Sequence, residues 1–484
     1  MKFPEFFKFM VSVQDKIVLK ILYILIIFIY FLFDPFRVLA NNDFIKNIAI
    51  FYSAKISEDD LICLSKYDVV VLNRFNFNMI DNDTFGAIKK LKNECDIYVY
   101  QLGAETNIDQ DEYLTKYLNS IARYENGRGH SMGSLKNDNP SLILTGRDGR
   151  YFYNIQYPNS ILMDFGSKDY QKYWIEATFT DILLQPWRAD GVLIDNCLVA
   201  ESVTGRNPFG AEFPVSYGDA QRWNDGMNDF VGTISLALRQ DGQKMITNRG
   251  NSRHQAGYDA WLALDQSGNP PDIVMEEGAF AVSWGANDVQ FYPENDWKRQ
   301  VDVVGKITRS EVALISHTKL SPENPVGRDN FGRPVTFWQA LWYSMCSYHL
   351  ARRDAPNNSY FMFKTKGYQS VWWFDGYDRI DLGRALGEYT VRNISGTNVY
   401  MREFEKGYVL VNPTRQDATS VSLPQSCIVL THVDRQADAS VLPVVSAIDL
   451  PSNHGVICVK AAIDQEALHE THDAAPTIHT IQPN

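Results

Sequence analysis

Several motif classes are missing from this sequence of 484 residues, and each absence removes a class of function. No long run of basic residues occurs and the net charge is -12, so the electrostatic footprint of a nucleic-acid-binding protein is missing. No GxGxxG follows the first strand candidate and no phosphate-binding loop is present, which argues against a nucleotide site. No HxH, HExxH or CxxC spacing indicates a metal site. We therefore expect neither a metal nor a cofactor.

Cysteine is scarce and widely spaced. The six cysteines are Cys63, Cys95, Cys197, Cys346, Cys427 and Cys458. We expect most of them to be buried free thiols. Export would permit disulfides, and Cys427–Cys458 is the pair to test, because both residues fall in the last domain.

The sequence also lacks an apolar run long enough to cross a membrane. Residues 21–33 are wholly apolar, but 13 residues are fewer than the roughly 20 that span a bilayer. Four lysines precede or flank this run, and Val38-Leu39-Ala40 follows it with small or modest residues suited to cleavage. We expect residues 1–40 to be a signal peptide, with an N-terminal membrane anchor through residues 17–33 as the alternative. Either predicts a secreted or cell-envelope protein.

The composition is that of a globular protein, with 45% hydrophobic and 21% charged residues. Short apolar runs that end in a polar residue alternate with longer helical stretches such as Asp219–Gln240. This pattern is typical of parallel strands buried on both faces. The eight strand candidates are Asn47–Ser53, Asp68–Leu72, Asp96–Leu102, Gly191–Asp195, Lys244–Asn248, Asp272–Glu276, Val312–His317 and Ser359–Lys364.

Eight such repeats predict an α/β fold, a (β/α)8 TIM barrel over residues 41–392. A doubly wound sheet is the alternative, which the missing nucleotide motifs disfavour. Long insertions at 104–168 and Glu201–Tyr217 are expected over the barrel mouth, where they would shape a cleft. From Val399 onward short alternating strands without a long helix predict a C-terminal antiparallel β-sandwich over 393–463, followed by a disordered tail at 464–484.

The sharpest local motif is Asp190-Gly-Val-Leu-Ile-Asp195-Asn196. An apolar strand that ends in Asp-Asn puts a carboxylate at the barrel mouth. Glycoside cleavage needs two carboxyl groups that flank the scissile bond, and Asp195 is a candidate for one of them. A helix N-cap is the alternative role for Asp195.

Two adjacent carboxylates, Glu276 and Glu277, close the sixth strand candidate. Side chains alternate along a strand, so only one of the two should point into the barrel mouth. We favour Glu276 as the acid/base, and Glu277 is the second candidate for this role. The alternative is that neither acts in catalysis and both are solvated at the end of the strand. Apolar walls from Phe280 and Trp284 would raise the pKa of a Glu there and suit it to act as a general acid.

Polar residues at or near other strand ends predict a crown of hydrogen-bonding groups for a ligand rich in hydroxyls. A single His is more often a hydrogen-bonded structural residue, and Asp164 is as well suited to capping or loop support as to substrate binding. The substrate-binding candidates are Tyr52, Gln101, Asp164, Asn196, Asn248, Arg249, His317 and Lys364.

These motifs resemble a known family. The Asp-Gly-Val-Leu-Ile-Asp-Asn strand end, the Met-Asp-Phe lead-in that starts at Met163 and a Glu that ends strand six look like hypothetical glycosyl hydrolase family 15. They are more distantly similar to endo-α-1,4-polygalactosaminidase barrels. The resemblance covers roughly residues 46–390. It implies a glycosidase barrel with Asp195 and Glu276 as the catalytic pair, although the double Glu leaves the second residue open.

The predicted function is therefore hydrolysis of an extracellular or cell-envelope polysaccharide by paired-carboxylate catalysis. The partner is expected to be a polysaccharide or oligosaccharide substrate, with no nucleic acid and a possible membrane tether. A non-catalytic carbohydrate-binding or envelope-scaffold protein is the alternative, and a carbohydrate lyase or deacetylase is a third. Retention or inversion depends on the separation of the carboxyl groups, which the sequence does not give.

Overall fold

A computed structural model provides the coordinates of the protein. The structure describes residues 44–53, 56–73, 88–89, 95–107, 139–146, 149, 151–152, 160–179, 189–199, 216–353, 359–365, 367–430 and 443–461. All of them belong to one compact unit, Phe44–Asn484. The expected leader, the expected tail and most of the insertion Glu201–Tyr217 lie outside the described ranges.

Eight parallel strands form one sheet in the order of the chain, and this confirms the predicted barrel. The strands are β1 (Ile48–Phe51), β2 (Val69–Asn73), β3 (Asp96–Leu102), β4 (Gly191–Asp195), β5 (Lys244–Asn248), β6 (Ile273–Glu277), β7 (Glu311–Thr318) and β8 (Ser359–Thr365). A parallel bridge between Asn47 and Phe361 brings β1 back to β8. The Phe361 amide donates to the Lys46 carbonyl at 2.9 Å, so the barrel is nearly closed.

Helices lie between the barrel strands in the described part of the chain. They are α1 (Glu58–Leu64), α2 (Lys168–Thr178), α3 (Ala220–Gln240), α4 (Gln255–Asp265), α5 (Glu294–Lys306) and α6 (Phe337–Ala351). Polar side chains fix where several of them begin. The Asp219 carboxylate accepts from the Arg222 amide at 2.8 Å, and the Thr336 hydroxyl accepts from the Gln339 amide at 3.0 Å. Each bond satisfies one of the amides that a helix leaves free at its N-terminus.

Aspartates at the start of alternate strands tie together the end of the barrel opposite the mouth. Asp68, Asp190 and Asp272 precede β2, β4 and β6. Each accepts a backbone N–H at the start of the preceding strand, at 2.7, 2.7 and 2.8 Å respectively. The two ends of the motif at 190–196 therefore have different roles, because Asp190 lies at the stabilising end and Asp195 at the mouth.

The barrel interior depends on one glycine in β4. A Cβ on Gly191 would lie 2.2 Å from the Lys244 carbonyl oxygen and 2.7 Å from the Tyr98 ring. No side chain fits there, so Gly191 leaves the space that the Tyr98 ring fills. Beyond it, Leu193 and then Asp195 continue the inward-facing row toward the mouth.

The C-terminal part of the chain is an antiparallel β-sandwich, as predicted. Its strands are β9 (Thr390–Ile394), β10 (Thr397–Glu403), β11 (Gly407–Asn412), β12 (Ala418–Leu430), β13 (Val444–Leu450) and β14 (His454–Lys460). They form one sheet in the order β9-β10-β11-β14-β12-β13. The long strand β12 changes register twice and returns over β9 and β10, so one face of the sheet encloses its own core.

The other face of this sheet packs against the barrel through α6. Helix α6 contacts β7 and β8 on one side and β10, β11 and β14 on the other, which explains why it is buried almost all round. Arg402 of β10 secures the contact. Its guanidinium donates to the carbonyls of His349, Leu350 and Arg352 at 3.2, 3.0 and 2.5 Å, where the end of α6 leaves carbonyls unpaired.

All six cysteines are free thiols, and all but Cys63 are buried. Cys427 of β12 lies opposite Lys460 of β14, while Cys458 lies opposite Val429, so the two cysteines share one face on neighbouring strands. A hydrogen bond from the Cys458 thiol lowers the pKa of Cys427. The pair chosen from the sequence is therefore adjacent and reduced. None of the helices in the described ranges is long and apolar enough to cross a membrane.

Candidate active site

Asp195 ends β4 on the inward-facing row and is 9% exposed at the barrel mouth. The Tyr100 hydroxyl and the Asn248 amide both donate to its carboxylate, the latter at 2.7 Å to Oδ1. Asn196 follows with a φ of +58°, a left-handed conformation that Asn tolerates and that ends the strand abruptly. The two donors, Tyr100 and Asn248, fix the orientation of the Asp195 carboxylate.

Glu277 is the second carboxylate at the mouth, and one side-chain amide joins it to Asp195. Nδ2 of Asn248 lies 2.7 Å from Oδ1 of Asp195 and 3.2 Å from Oε2 of Glu277. Both acceptor oxygens lie within hydrogen-bond distance of one nitrogen, so they are less than about 6 Å apart. Asn248 thus holds two carboxylates from β4 and β6 at a separation that can flank a single bond.

The surroundings of Glu277 favour its neutral form. Burial and the nearby Asp195 charge raise the pKa of Glu277 above its ordinary value, although Lys364 and the hydrogen bonds from Tyr368 and Asn248 act in the opposite direction. The Tyr368 hydroxyl donates to Oε1 of Glu277. A carboxyl with a raised pKa beside a charged one is the arrangement in which one group can give a proton while the other stays ionised.

Glu276, the residue that the sequence favoured as acid/base, does not face the mouth. Ile273 and Met275 of β6 point into the barrel, so Glu276 points outward between strands and helices, where it is 0% exposed. Its carboxylate accepts the backbone amides of Asn251 at 3.1 Å and Ser252 at 2.7 Å. Glu276 therefore fixes the loop after β5, and the alternation of side chains assigns the position at the mouth to Glu277.

Three tyrosines form one wall of the mouth. The Tyr52 ring lies 4.8 Å from the Tyr100 ring and 4.9 Å from the Tyr368 ring, between centroids. Burial raises the pKa of all three well above the usual value for Tyr. Tyr100 and Tyr368 therefore keep their phenolic protons and donate to Asp195 and Glu277. Tyr52 was predicted from the sequence, whereas Tyr100 and Tyr368 were not. For Tyr100 the missed signal was the alternation Tyr98, Tyr100, Leu102 along the inward face of β3.

Lys364 and His317 lie side by side at the ends of β8 and β7. Burial lowers the pKa of Lys364 to about 8, against the opposing fields of Glu277 and Asp195. Its ammonium lies 3.2 Å from the centroid of the Tyr368 ring. Burial also lowers the pKa of His317 to about 3, and the Lys364 charge adds to this effect, so His317 is neutral at physiological pH.

Two strand-end candidates face away from the mouth, and a third has a supporting contact in a loop. Gln101 is on the outward face of β3, between the inward-facing residues Tyr100 and Leu102. Arg249 is 0% exposed and donates to the Cys197 carbonyl at 2.5 Å and to Asn228 at 2.7 Å, so it joins loops behind the mouth. Asp164 accepts the Tyr217 hydroxyl at 2.8 Å and supports the approach to α3. Gln101 and Arg249 correct the predicted crown, because a polar residue near a strand end can face either side of the strand. The contact of Asp164 with Tyr217 fits the loop support expected as its alternative role, and substrate binding by Asp164 stays a prediction.

The loop after Glu277 is fixed from behind by Gln300 of α5. The fully buried Gln300 amide donates to the Gly278 carbonyl at 3.1 Å and accepts the Phe280 amide at 2.8 Å. Ser316 donates to the Ala279 carbonyl at 2.6 Å. Phe280 is held at a φ of +57°, an unusual conformation for a bulky residue and one that clusters at functional sites. Within the described ranges, no group of three or more His, Cys, Asp or Glu side chains could hold a metal ion.

The sequence matches a family profile over most of the barrel and the start of the sandwich. Residues 89–408, about two thirds of the chain, match the family described as hypothetical glycosyl hydrolase family 15. This confirms the resemblance seen in the sequence motifs. No curated protein matches the chain.

Solved structures with a similar chain course include carbohydrate-active enzymes. A noncanonic maltogenic alpha-amylase, AmyB from Thermotoga neapolitana, has a TM-score of 0.42 at 8% identity over 86% of this chain and 98% of its own. The trehalulose synthase MutB from Pseudomonas mesoacidophila has a TM-score of 0.45 at 10% identity over 86% and 99%. The GH36 alpha-galactosidase AgaA from Geobacillus stearothermophilus has a TM-score of 0.42 at 10% identity over 87% and 56%.

Proposed function

The chain belongs to hypothetical glycosyl hydrolase family 15, and we propose that it hydrolyses a glycosidic bond with Asp195 and Glu277 as the catalytic pair. The observation that carries the proposal is the Asn248 amide, which hydrogen-bonds to two inward-facing carboxylates and so holds their nearest oxygens less than about 6 Å apart. Metal-independent glycoside cleavage needs two carboxyl groups on either side of one bond.

The short separation favours retention of the anomeric configuration. Retaining glycosidases hold their carboxyl groups about 5–5.5 Å apart, whereas inverting ones leave about 6.5–9.5 Å for a water molecule. In the proposed first step, an Asp195 oxygen attacks the anomeric carbon, the bond from that carbon to the leaving oxygen breaks, and Glu277 gives its proton to the leaving oxygen. In the second step Glu277 takes a proton from water, the water oxygen attacks the same carbon, and the bond to Asp195 breaks.

The roles follow from the two environments. Glu277 has the raised pKa that a proton donor needs near neutral pH. Asp195 receives hydrogen bonds from Tyr100 and Asn248, which orient its carboxylate. Tyr52, His317 and Lys364 surround the pair and are proposed to bind sugar hydroxyls.

We propose an extracellular or cell-envelope polysaccharide or oligosaccharide as the substrate, because residues 1–40 read as a leader that directs export. Retention of that leader as an anchor through residues 17–33 would keep the enzyme at the envelope. Fractionation of cells that produce the full chain, with and without residues 1–40, tests this location. An identical cytoplasmic distribution of both forms would contradict it.

A glycan-degradation screen tests the activity. The purified full chain is incubated with neutral and amino-sugar polysaccharides, and products are identified by mass spectrometry, with Asp195→Asn as the matched control. We expect shortened, hydrated oligosaccharides from the parent protein alone. Binding of a glycan without cleavage would instead favour the carbohydrate-binding scaffold. Once a substrate is known, NMR of the first product should show the anomer of the substrate, whereas the opposite anomer would refute the retaining assignment.

A further inference from the structure

Trp284 is an aromatic side chain that is not buried in the core of the protein. It lies in the loop after β6 and is 53% exposed, whereas the nearby aromatic residues Phe280 and Tyr292 are buried. A large apolar ring left open to solvent beside a functional cleft is a common feature of ligand sites. Its surroundings indicate which part of a ligand it would meet.

The indole rests directly against the backbone that follows Glu277. A Cβ built on Gly278 would lie 3.1 Å from Nε1 and 3.3 Å from Cζ2 of Trp284. Gly278 has a φ of +103°, which a residue with a side chain rarely adopts. The glycine therefore allows the indole edge to approach the strand end, and this puts the ring beside the backbone that directly follows the proposed proton donor.

The ring is also fixed in place before any ligand binds. Its centroid lies 4.2 Å from that of the His317 ring, in an edge contact with an interplanar angle of 72°. The backbone amide of Ser283 donates to Nδ1 of His317 at 3.2 Å, and the Lys319 ammonium donates to the Gly285 carbonyl. Residues on both sides of Trp284 are thus anchored to β7 and the segment that follows it, so little conformational entropy is lost when a ligand packs on the ring.

This inference rests on the proposed function. We infer that Trp284 binds the sugar ring of the leaving group, so that the substrate carries a sugar on both sides of the scissile bond. A general acid must touch the leaving oxygen, so the leaving group lies on the side of Glu277 that Trp284 borders. A pyranose ring presents a face of C–H bonds that packs on an aromatic face, which small or charged leaving groups do not. The tyrosines around Asp195 then border the sugar that becomes attached to the enzyme.

The test compares two substrate classes that share one sugar and differ in the leaving group. Glycosyl fluorides of glucose, galactose, N-acetylglucosamine and N-acetylgalactosamine, as both anomers, have no leaving sugar. Oligosaccharides of each of these sugars, in α and β linkages, have one. We expect Trp284→Ala to lower kcat/KM for the oligosaccharides roughly 10- to 100-fold, since it removes most of one ring contact. The same variant should change kcat/KM for the matching fluoride less than about 3-fold, which is within the scatter of a remote substitution.

Trp284→Phe is the matched control, because it keeps an aromatic face at the same place and should recover most of the oligosaccharide activity. Equal losses on both substrate classes, or no loss on the oligosaccharides, would refute the role of Trp284 while leaving the proposed hydrolase intact. Asp195→Asn should abolish turnover of both classes. A parent protein that cleaves no member of either class would contradict the proposed function itself and, with it, this inference.

Discussion

Exchanging each of the two adjacent glutamates of β6 for glutamine separates catalysis from stability. Glu276 and Glu277 differ by one position in the chain but face opposite sides of the barrel wall. Each substitution keeps the size and shape of the side chain but removes its charge, its acid proton and one of its two acceptor oxygens. The two variants are therefore matched controls for one another.

For Glu276→Gln the expected loss is in stability. Its two carboxylate oxygens accept the amides of Asn251 and Ser252, and glutamine turns one of these acceptors into a donor. One buried N–H then loses its partner, at a cost of about 1–3 kcal/mol. Burial raises the pKa of Glu276, because the charged carboxylate is unfavourable in the protein interior. Removing this charge therefore offsets part of the cost of the lost hydrogen bond. We expect the free energy of unfolding to fall by about 1–2 kcal/mol, with a Tm lower by a few degrees.

For Glu277→Gln the expected loss is in turnover. Removing a general acid lowers the rate by about 10²- to 10⁴-fold. The loss should be much smaller for formation of the enzyme-bound sugar from a glycosyl fluoride, because fluoride departs without protonation. Tm should fall less than for Glu276→Gln, since Glu277 is partly exposed at the mouth whereas Glu276 is fully buried. Thermal unfolding and kinetics on both substrate classes check each point. If Glu276→Gln abolished turnover at an unchanged Tm while Glu277→Gln remained active, the assignment from side-chain direction would be wrong.

Three further outcomes follow from other contacts. The Lys364 cation lowers the pKa of Glu277, so Lys364→Met should raise that pKa. The alkaline limb of the pH profile of kcat/KM should then move to higher pH, because the acid keeps its proton longer. A limb that stays in place or moves to lower pH would contradict Glu277 as the acid. Oxidised glutathione should join Cys427 to Cys458, detected as a loss of two free thiols by mass spectrometry that the Cys427→Ser variant does not show. Arg402→Ala removes the guanidinium that donates to three buried carbonyls at the end of α6, so calorimetry should show a free energy of unfolding lower by about 2–4 kcal/mol, with Arg402→Lys less affected.

Much of the fold could be predicted because it depends on local patterns. Parallel strands buried on both faces need continuous apolar runs, and each of the eight predicted runs became a barrel strand. The change to short alternating strands near Val399 likewise predicted the sandwich. The same logic gave Asp195, because a carboxylate at the end of a buried strand has to lie at the mouth of a barrel.

The sequence alone therefore determined the barrel, the sandwich and the strand ends from which a site could be built. Only the tertiary structure decided which side each strand-end residue faces. Glu277 points into the mouth and the preceding residue Glu276 points away from it. In the same way Tyr100 points inward and the next residue Gln101 points outward. Contacts between residues far apart in the chain were also beyond the sequence, such as Tyr368 with Glu277 and Asn248 with both carboxylates. The physical reason is that side chains alternate between the two faces of a strand. A continuous apolar run predicts that a strand forms, but both of its faces look alike in the sequence. Which face the last polar residues take is therefore decided by how the sheet closes into a barrel.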